Sequence, residues 1–79
     1  MPADSPTRLQ KHSVSIAGHR TSVTLEAAFW EALTAIARRR ETTVAGLIAA
    51  IDDARAGDPA APNLSSAVRV FVLREHNAG

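Results

Sequence analysis

The side chains able to make directed polar contacts gather early in the chain. Ser13, Ser15, Ser22 and Thr24 carry hydroxyls and Arg20 carries a guanidinium, while Arg8 and Lys11 add charge just before them. No acidic residue stands between Asp4 and Glu26, so the stretch is basic although the whole chain carries a formal net charge of only +1, from nine Lys and Arg against eight Asp and Glu. Such groups hydrogen-bond and attract anions; they do not by themselves break covalent bonds. Nothing elsewhere supplies that chemistry. There is no nucleophile elbow, P-loop, HExxH or GxGxxG pattern, and His12, His19 and His76 are scattered without ligand-like spacing. Ser65-Ser66 and Asp52-Asp53 read as the start of one helix and the end of another. The expectation is a protein that binds, with no catalysis, cofactor or metal. Arg38, Arg39 and Arg40 form a second basic run, and Asp52, Asp53 and Asp58 gather later, which permits an anionic partner at one end. At the end of a helix, a solvated charge cluster is the plainer account of those three arginines.

The elements that must position these residues follow from periodicity. Val14 and Ile16 alternate with Ser13 and Ser15, and Val23 and Leu25 alternate with Ser22 and Thr24, as half-buried strands do. The two pairs are out of phase, so an unbroken strand would send one of them into water. The spacing predicts a turn or bulge at Ala17 to His19, with Gly18 supplying unusual backbone angles. Residues 13 to 17 then form an extended arm, paired beside the following strand or lying against a dimer. From Glu26 the period lengthens. Phe29, Trp30, Leu33, Ile36 and Ala37 make the stripe of a helix ending near Arg40. Thr42 or Thr43 caps a second helix with Val44, Leu47, Ile48 and Ile51 on its apolar side, where Gly46 suggests a close approach of helices. Residues 55 to 62 are a linker by composition, with Gly57, Pro59 and Pro62. Beyond it, residues 63 to 79 read as a third helix packing on the core, capped by Asn63 and apolar at Leu64, Ala67, Val68, Phe71 and Val72, although "VRVFV" also alternates like a strand. Residues 1 to 11 read as a mobile basic tail, and residues 12 to 54 as the central unit.

Size constrains how this can be stable. With 79 residues and no cysteine, one domain has little surface to bury and no disulfide to reinforce it. A core shared between chains is the remaining route. No apolar run approaches a bilayer span and no signal-peptide core is present, so a cytoplasmic protein is expected without any membrane partner.

A strand followed by two helices leaves the strand's own backbone groups unpaired, a deficit that a second copy of the chain can fill. Residues 20 to 52, "RTSVTLEAAFWEALTAIARRRETTVAGLIAAID", resemble the ribbon-helix-helix (Arc/MetJ-like) DNA-binding domain family in order, length and pattern. With "SIAGHRTSVTLEAAFWEAL" and "NLSSAVRVFVL" the resemblance extends over residues 12 to 74, to a bacterial subfamily with an N-terminal extension and a C-terminal segment. It implies a mainly α fold with a short β ribbon: a homodimer with intermolecular antiparallel strands, an extra N-terminal arm and a C-terminal helix. It implies a transcriptional regulator whose partner is double-stranded DNA, read by the ribbon in the major groove. Arg20, Ser22 and Thr24 would then contact bases, and Thr42, Thr43, Val44, Lys11 and Arg8 phosphates. Val23, Leu25, Phe29, Trp30, Leu33, Ile36, Leu47, Ile48 and Ile51 would form the dimer core. Arginine can donate twice to guanine, and hydroxyls suit several base edges. The alternative is a protein-interaction module, such as an antitoxin-like dimer that binds a protein through its C-terminal segment.

The strand register is testable by substitution. Val23→Ala or Leu25→Ala is expected to destabilise the protein by about 1 to 4 kcal/mol, as core truncations do, while Ser22→Ala and Thr24→Ala leave thermal stability nearly unchanged. The reverse order in thermal melts would put the wrong face inside.

Overall fold

The computed structural model describes residues 5–16, 18–55 and 63–78. Two strands lead, β1 (Leu9–Ile16) and β2 (His19–Glu26); three helices follow, α1 (Ala27–Arg39), α2 (Val44–Arg55) and α3 (Leu64–Ala78). β1 and β2 pair antiparallel from Leu9 opposite Glu26 to Ile16 opposite His19. Each pair joins an odd with an even residue number, and directly opposed side chains share a face. The phase shift between Val14-Ile16 and Val23-Leu25 is therefore what a two-residue connection requires. It brings both pairs to the helix side, where Ile16, Val23 and Leu25 are buried and Val14 packs against them. Gly18 in that connection has φ of 81°, in the left-handed region. A Cβ there would meet nothing within 4 Å, so the demand is conformational and not steric. Ala17 lies outside the described residues.

Two expectations change here. β2 is not a lone strand, because β1 of the same chain pairs with it along its whole length, which removes that ground for requiring a second chain. The strand also begins at Leu9, so Leu9 to Lys11 belong to β1 and not to a mobile tail. The backbone anchors this segment: Ala27 N–H donates to the Arg8 carbonyl at 2.8 Å and Ala28 N–H to the Pro6 carbonyl at 3.0 Å. Those two donors are among the first N–H groups of α1, which lack intrahelical partners. The segment before β1 thus caps the helix that follows β2. Residues 1–4 of the expected tail, and all of the expected linker except Arg55, lie outside the described residues.

The core is a single apolar cluster. Trp30, Leu33, Ile36 and Ala37 of α1 meet Leu47, Ile48 and Ile51 of α2 and Leu64, Val68 and Val72 of α3 beneath the strands. Among the described residues no polar or charged one is buried. Trp30 reaches the edge of the cluster, where its Nε1 donates to the Gln10 carbonyl at 3.0 Å, satisfying the indole.

Helix ends follow the local sequence. At the close of α1, Thr42 N–H bonds the Ala37 carbonyl and Glu41 N–H the Arg38 carbonyl, with Glu41 at φ 55°. This is a Schellman turn with glutamate where glycine is usual. Thr43 then caps α2, its Oγ1 accepting Gly46 N–H at 2.9 Å. A Cβ on Gly46 would sit 2.9 Å from Thr42 Oγ1 and 3.1 Å from Thr43 Oγ1. The glycine is there to clear the threonine hydroxyls, not a neighbouring helix. Asn63 Oδ1 accepts Ser66 N–H at 2.8 Å and opens α3, and the helical spacing of Leu64, Val68 and Val72 prevails over the alternation of "VRVFV".

α3 also fastens itself to β2 and α1. Ser65 Oγ accepts Thr24 N–H at 3.2 Å, and Arg69 Nη2 donates to the Thr24 carbonyl at 3.4 Å. Arg69 Nε lies 2.9 Å from Glu26 Oε1. Arg40 bridges to Glu75 at 2.7 Å and lies over the Phe71 ring.

Two predictions arise from these contacts. Glu41→Gly is expected to raise the free energy of unfolding by about 0.5 to 1 kcal/mol, because a left-handed backbone costs an L-residue about 1 to 2 kcal/mol and glycine's freedom in the unfolded chain takes part of that back. A urea midpoint no higher than that of wild type would show that the Glu41 side chain stabilises the turn. The second concerns acid. The hydrogen bond from Arg69 holds the Glu26 carboxyl below its ordinary value of 4.5; a backbone hydrogen bond and the charge of Arg69 add to this, and desolvation opposes it. A carboxyl lowered in the folded state stabilises above its unfolded pKa and loses that contribution as pH falls through its folded one. Arg69→Gln should return the Glu26 titration, followed by NMR, toward 4.5 and shrink the stability difference between neutral pH and pH about 3. An unchanged titration would mean that the pair is open in solution.

Candidate functional site

The hairpin turns one face to the helices and the other outward. Its register sets Lys11 opposite Thr24, Ser13 opposite Ser22 and Ser15 opposite Arg20, all six on the outward side. Lys11, Ser13, Ser15, Arg20 and Ser22 are exposed, and Thr24 is half-buried beside α3. The expected triplet of Arg20, Ser22 and Thr24 does line one face. Lys11, placed by the sequence in the tail, lies on that face directly across from Thr24. Ser13 and Ser15, which sequence reasoning left without a role, complete it. The signal was available, because reading the phase break as a two-residue connection makes every cross-strand pair calculable.

Charge on this face is one-sided. Lys11 and Arg20 contribute two cations; the carboxylate at its far end, Glu26, faces Arg69 and is held by it. A planar guanidinium with neighbouring hydroxyls can donate to paired acceptors or to anionic oxygens. Arg8 is exposed just ahead of β1, its carbonyl engaged by Ala27.

The edges of β2 matter as much as its faces. Hydrogen-bonded and non-bonded pairs alternate along an antiparallel ladder, and the Ala27 to Arg8 bond fixes the phase. Thr24 accordingly points its N–H and C=O away from β1, and both are taken by α3 through Ser65 and Arg69. β1 holds one edge of β2, and α3 covers the other at Thr24.

The other residues expected at a site stand on separate elements. Thr42 and Thr43 are exposed and Val44 is half-buried at the corner between α1 and α2. The Thr43 hydroxyl is committed to its cap, which leaves the first N–H groups of α2 as the donors offered there. Of the residues assigned to a dimer core, Val23, Leu25, Trp30, Leu33, Ile36, Leu47, Ile48 and Ile51 are already buried within one chain, and Phe29 is half-buried. Among the described residues no group of histidine, cysteine, aspartate and glutamate is assembled to hold a metal, and no helix is long and apolar enough to cross a membrane.

Comparison with known proteins agrees with this architecture. No curated protein matches the chain. An uncharacterized protein from Bordetella pertussis Tohama I has a similar solved structure, with a TM-score of 0.77 and 35% sequence identity over 90% of this chain and 58% of that one. The chain thus spans less than two thirds of that protein's length. A family model described as a ribbon-helix-helix domain matches residues 9–76, from the first strand almost to the end of α3. With ribbon and helices matched in order, the chain belongs to the ribbon-helix-helix domain family.

Proposed function

We propose that the protein is a DNA-binding transcriptional regulator that acts in the cytoplasm as a homodimer, presenting the outer face of its β ribbon to the major groove without catalysis or cofactor. One observation carries this reading: Lys11 and Arg20 share a face with four hydroxyls, and the carboxylate at its end is held by Arg69. Arg20 is the long donor suited to guanine, and Ser22 and Thr24 adapt to several base edges. Lys11, Arg8 and the start of α2 at Thr42, Thr43 and Val44 serve as phosphate contacts that fix orientation. The dimer rests on family membership and on the small core of one chain.

A protein-interaction role is the second reading. It is favoured by Val70 and Leu73, which leave 47% and 57% of their surface exposed on α3.

Fluorescence-anisotropy titrations on genomic fragments at several salt concentrations separate the two. Arg20→Ala is expected to cost about 1 to 3 kcal/mol per specific contact and to relax sequence preference. Lys11→Ala should instead weaken binding to all sequences alike and flatten the salt dependence by about one unit of slope per phosphate contact. Sedimentation across dilution should show dimer. If wild type binds no fragment at low salt, or if Arg20→Ala binds every fragment as wild type does, groove reading fails and the protein-interaction role becomes the better account.

A further inference from the structure

A groove lies between α1 and α3, braced at both ends of α1 by ion pairs. Glu26, the N-cap of α1, meets Arg69 at 2.9 Å, and Arg40, its C-cap, meets Glu75 at 2.7 Å. The groove is thus formed before anything enters it. Ile36 and Val72, both buried, make its floor, Ala32 and Ala35 keep the wall of α1 low, and Arg39 and His76 stand exposed at its rim. Leu73, 57% exposed and three residues before His76 on the same side of α3, continues the apolar surface. The carboxylates of Glu26 and Glu75 are taken by the end pairs, and Glu31 lines a different hollow beside Gln10 and Trp30. Among the described residues no acid lies in ion-pair reach of Arg39 or His76. The groove is therefore apolar within and carries free donors and positive charge at its margin. Its hollow holds about 170 Å³, below the roughly 300 to 1,000 Å³ of a site that encloses a small molecule. It has room for a side chain of something larger.

We infer that this groove docks a partner protein through an acidic amphipathic helix, with an aliphatic side chain seated on Ile36 and Val72 and carboxylates facing Arg39 and His76. The walls are side chains of two helices whose backbone groups are bonded internally, so an extended peptide would find nothing there to satisfy its main chain. A helix satisfies its own, and the two alanines let it approach closely. DNA fits the groove less well, because a phosphate gains nothing from an apolar floor and meets the carboxylates of Glu26 and Glu75 at the ends. A second copy of the chain is also a poorer match. Its α3 has no free acid, its α2 has only Asp53 once Asp52 pairs with Arg55, and its α1 sets Glu31 against Arg38 and Arg39. The inference goes beyond the DNA-binding reading and does not depend on it, since none of these residues is assigned to a base or a phosphate.

The test uses the full chain and a labelled synthetic peptide of about sixteen residues, with leucines at helical i, i+3, i+4 and i+7 spacing and glutamates on the other positions. A scrambled peptide of the same composition and a version with lysine for glutamate serve as controls. Wild type is expected to bind the acidic helix about tenfold or more tightly than either control. Amide signals of Ala32, Ala35, Arg39, Val72 and His76 should shift as it binds. Arg39→Glu and Ala35→Glu, both at exposed positions, should each weaken the peptide by about tenfold or more, with thermal melts to check folding, while Arg20→Ala leaves its affinity unchanged. Equal binding of the scrambled peptide, shifts centred on the ribbon, or groove variants that bind like wild type would overturn the inference. So would displacement of the peptide by a DNA duplex together with loss of duplex affinity in Arg39→Glu, which would give the groove to phosphates. If Ala35→Glu turns a dimer into a monomer in sedimentation, a second copy covers the groove and the inference fails; the DNA-binding reading is untouched by any result with the peptide alone.

Discussion

The antiparallel register of β1 and β2 is the constraint on which the rest of the molecule depends. With two residues between Ile16 and His19, partners of opposite parity share a face, and both apolar pairs, Val14-Ile16 and Val23-Leu25, point to the helices. A slip of one residue would send one pair to water and bring serines onto the core. The same register carries β1 past the end of β2, so that the Arg8 and Pro6 carbonyls meet the first N–H groups of α1. Strand pairing, helix capping and the composition of the outer face are thus consequences of one turn.

α3 is the second half of the design, because a two-helix layer under a two-stranded hairpin would leave both the core and an edge open. Leu64, Val68 and Val72 close the core while Ser65 and Arg69, one position further along, satisfy the backbone of Thr24. An amphipathic helix normally offers polar side chains to solvent. Here the polar residues flanking the apolar stripe are used against a strand edge. The outer face gains from the same helix, since Arg69 holds Glu26, the carboxylate at the end of the ribbon.

Most of this was legible from side-chain periodicity, and what was not lay in the backbone. The stripe of α1 and the caps at Thr43 and Asn63 follow from residue types at fixed spacings, and Val23 and Leu25 are fully buried, as their alternation implies. The start of β1 escaped notice because its first residue, Leu9, is 59% exposed and its neighbours are polar; its anchorage is through carbonyls, which any sequence possesses. The valines of "VRVFV" suggested a strand, yet Val70 is largely exposed while Val68 and Val72 are buried, which is the helical spacing. On the outer face, Arg20, Ser22 and Thr24 could be aligned from one strand alone. Adding Ser13 and Ser15 required reading the phase break as a two-residue connection between paired strands, from which their cross-strand partners Ser22 and Arg20 follow.

The open edge of β1 adds a further demand on the same residues. By the alternation that turns Thr24 toward α3, Leu9, Lys11, Ser13 and Ser15 turn their backbone groups away from β2, and nothing described pairs with that edge as α3 does with the other. An exposed strand edge invites the addition of another strand, and a lysine there is one of the common deterrents, because pairing would bury or crowd its charge. Lys11 stands on that edge and projects from the outer face, so one side chain both discourages unwanted sheet extension and adds to the cationic surface. The serines around it have little bulk with which to block pairing, but they let another surface approach the ribbon closely. The charge of Lys11 therefore opposes the addition of a strand at this edge, while the short hydroxyls beside it leave the outer surface shallow.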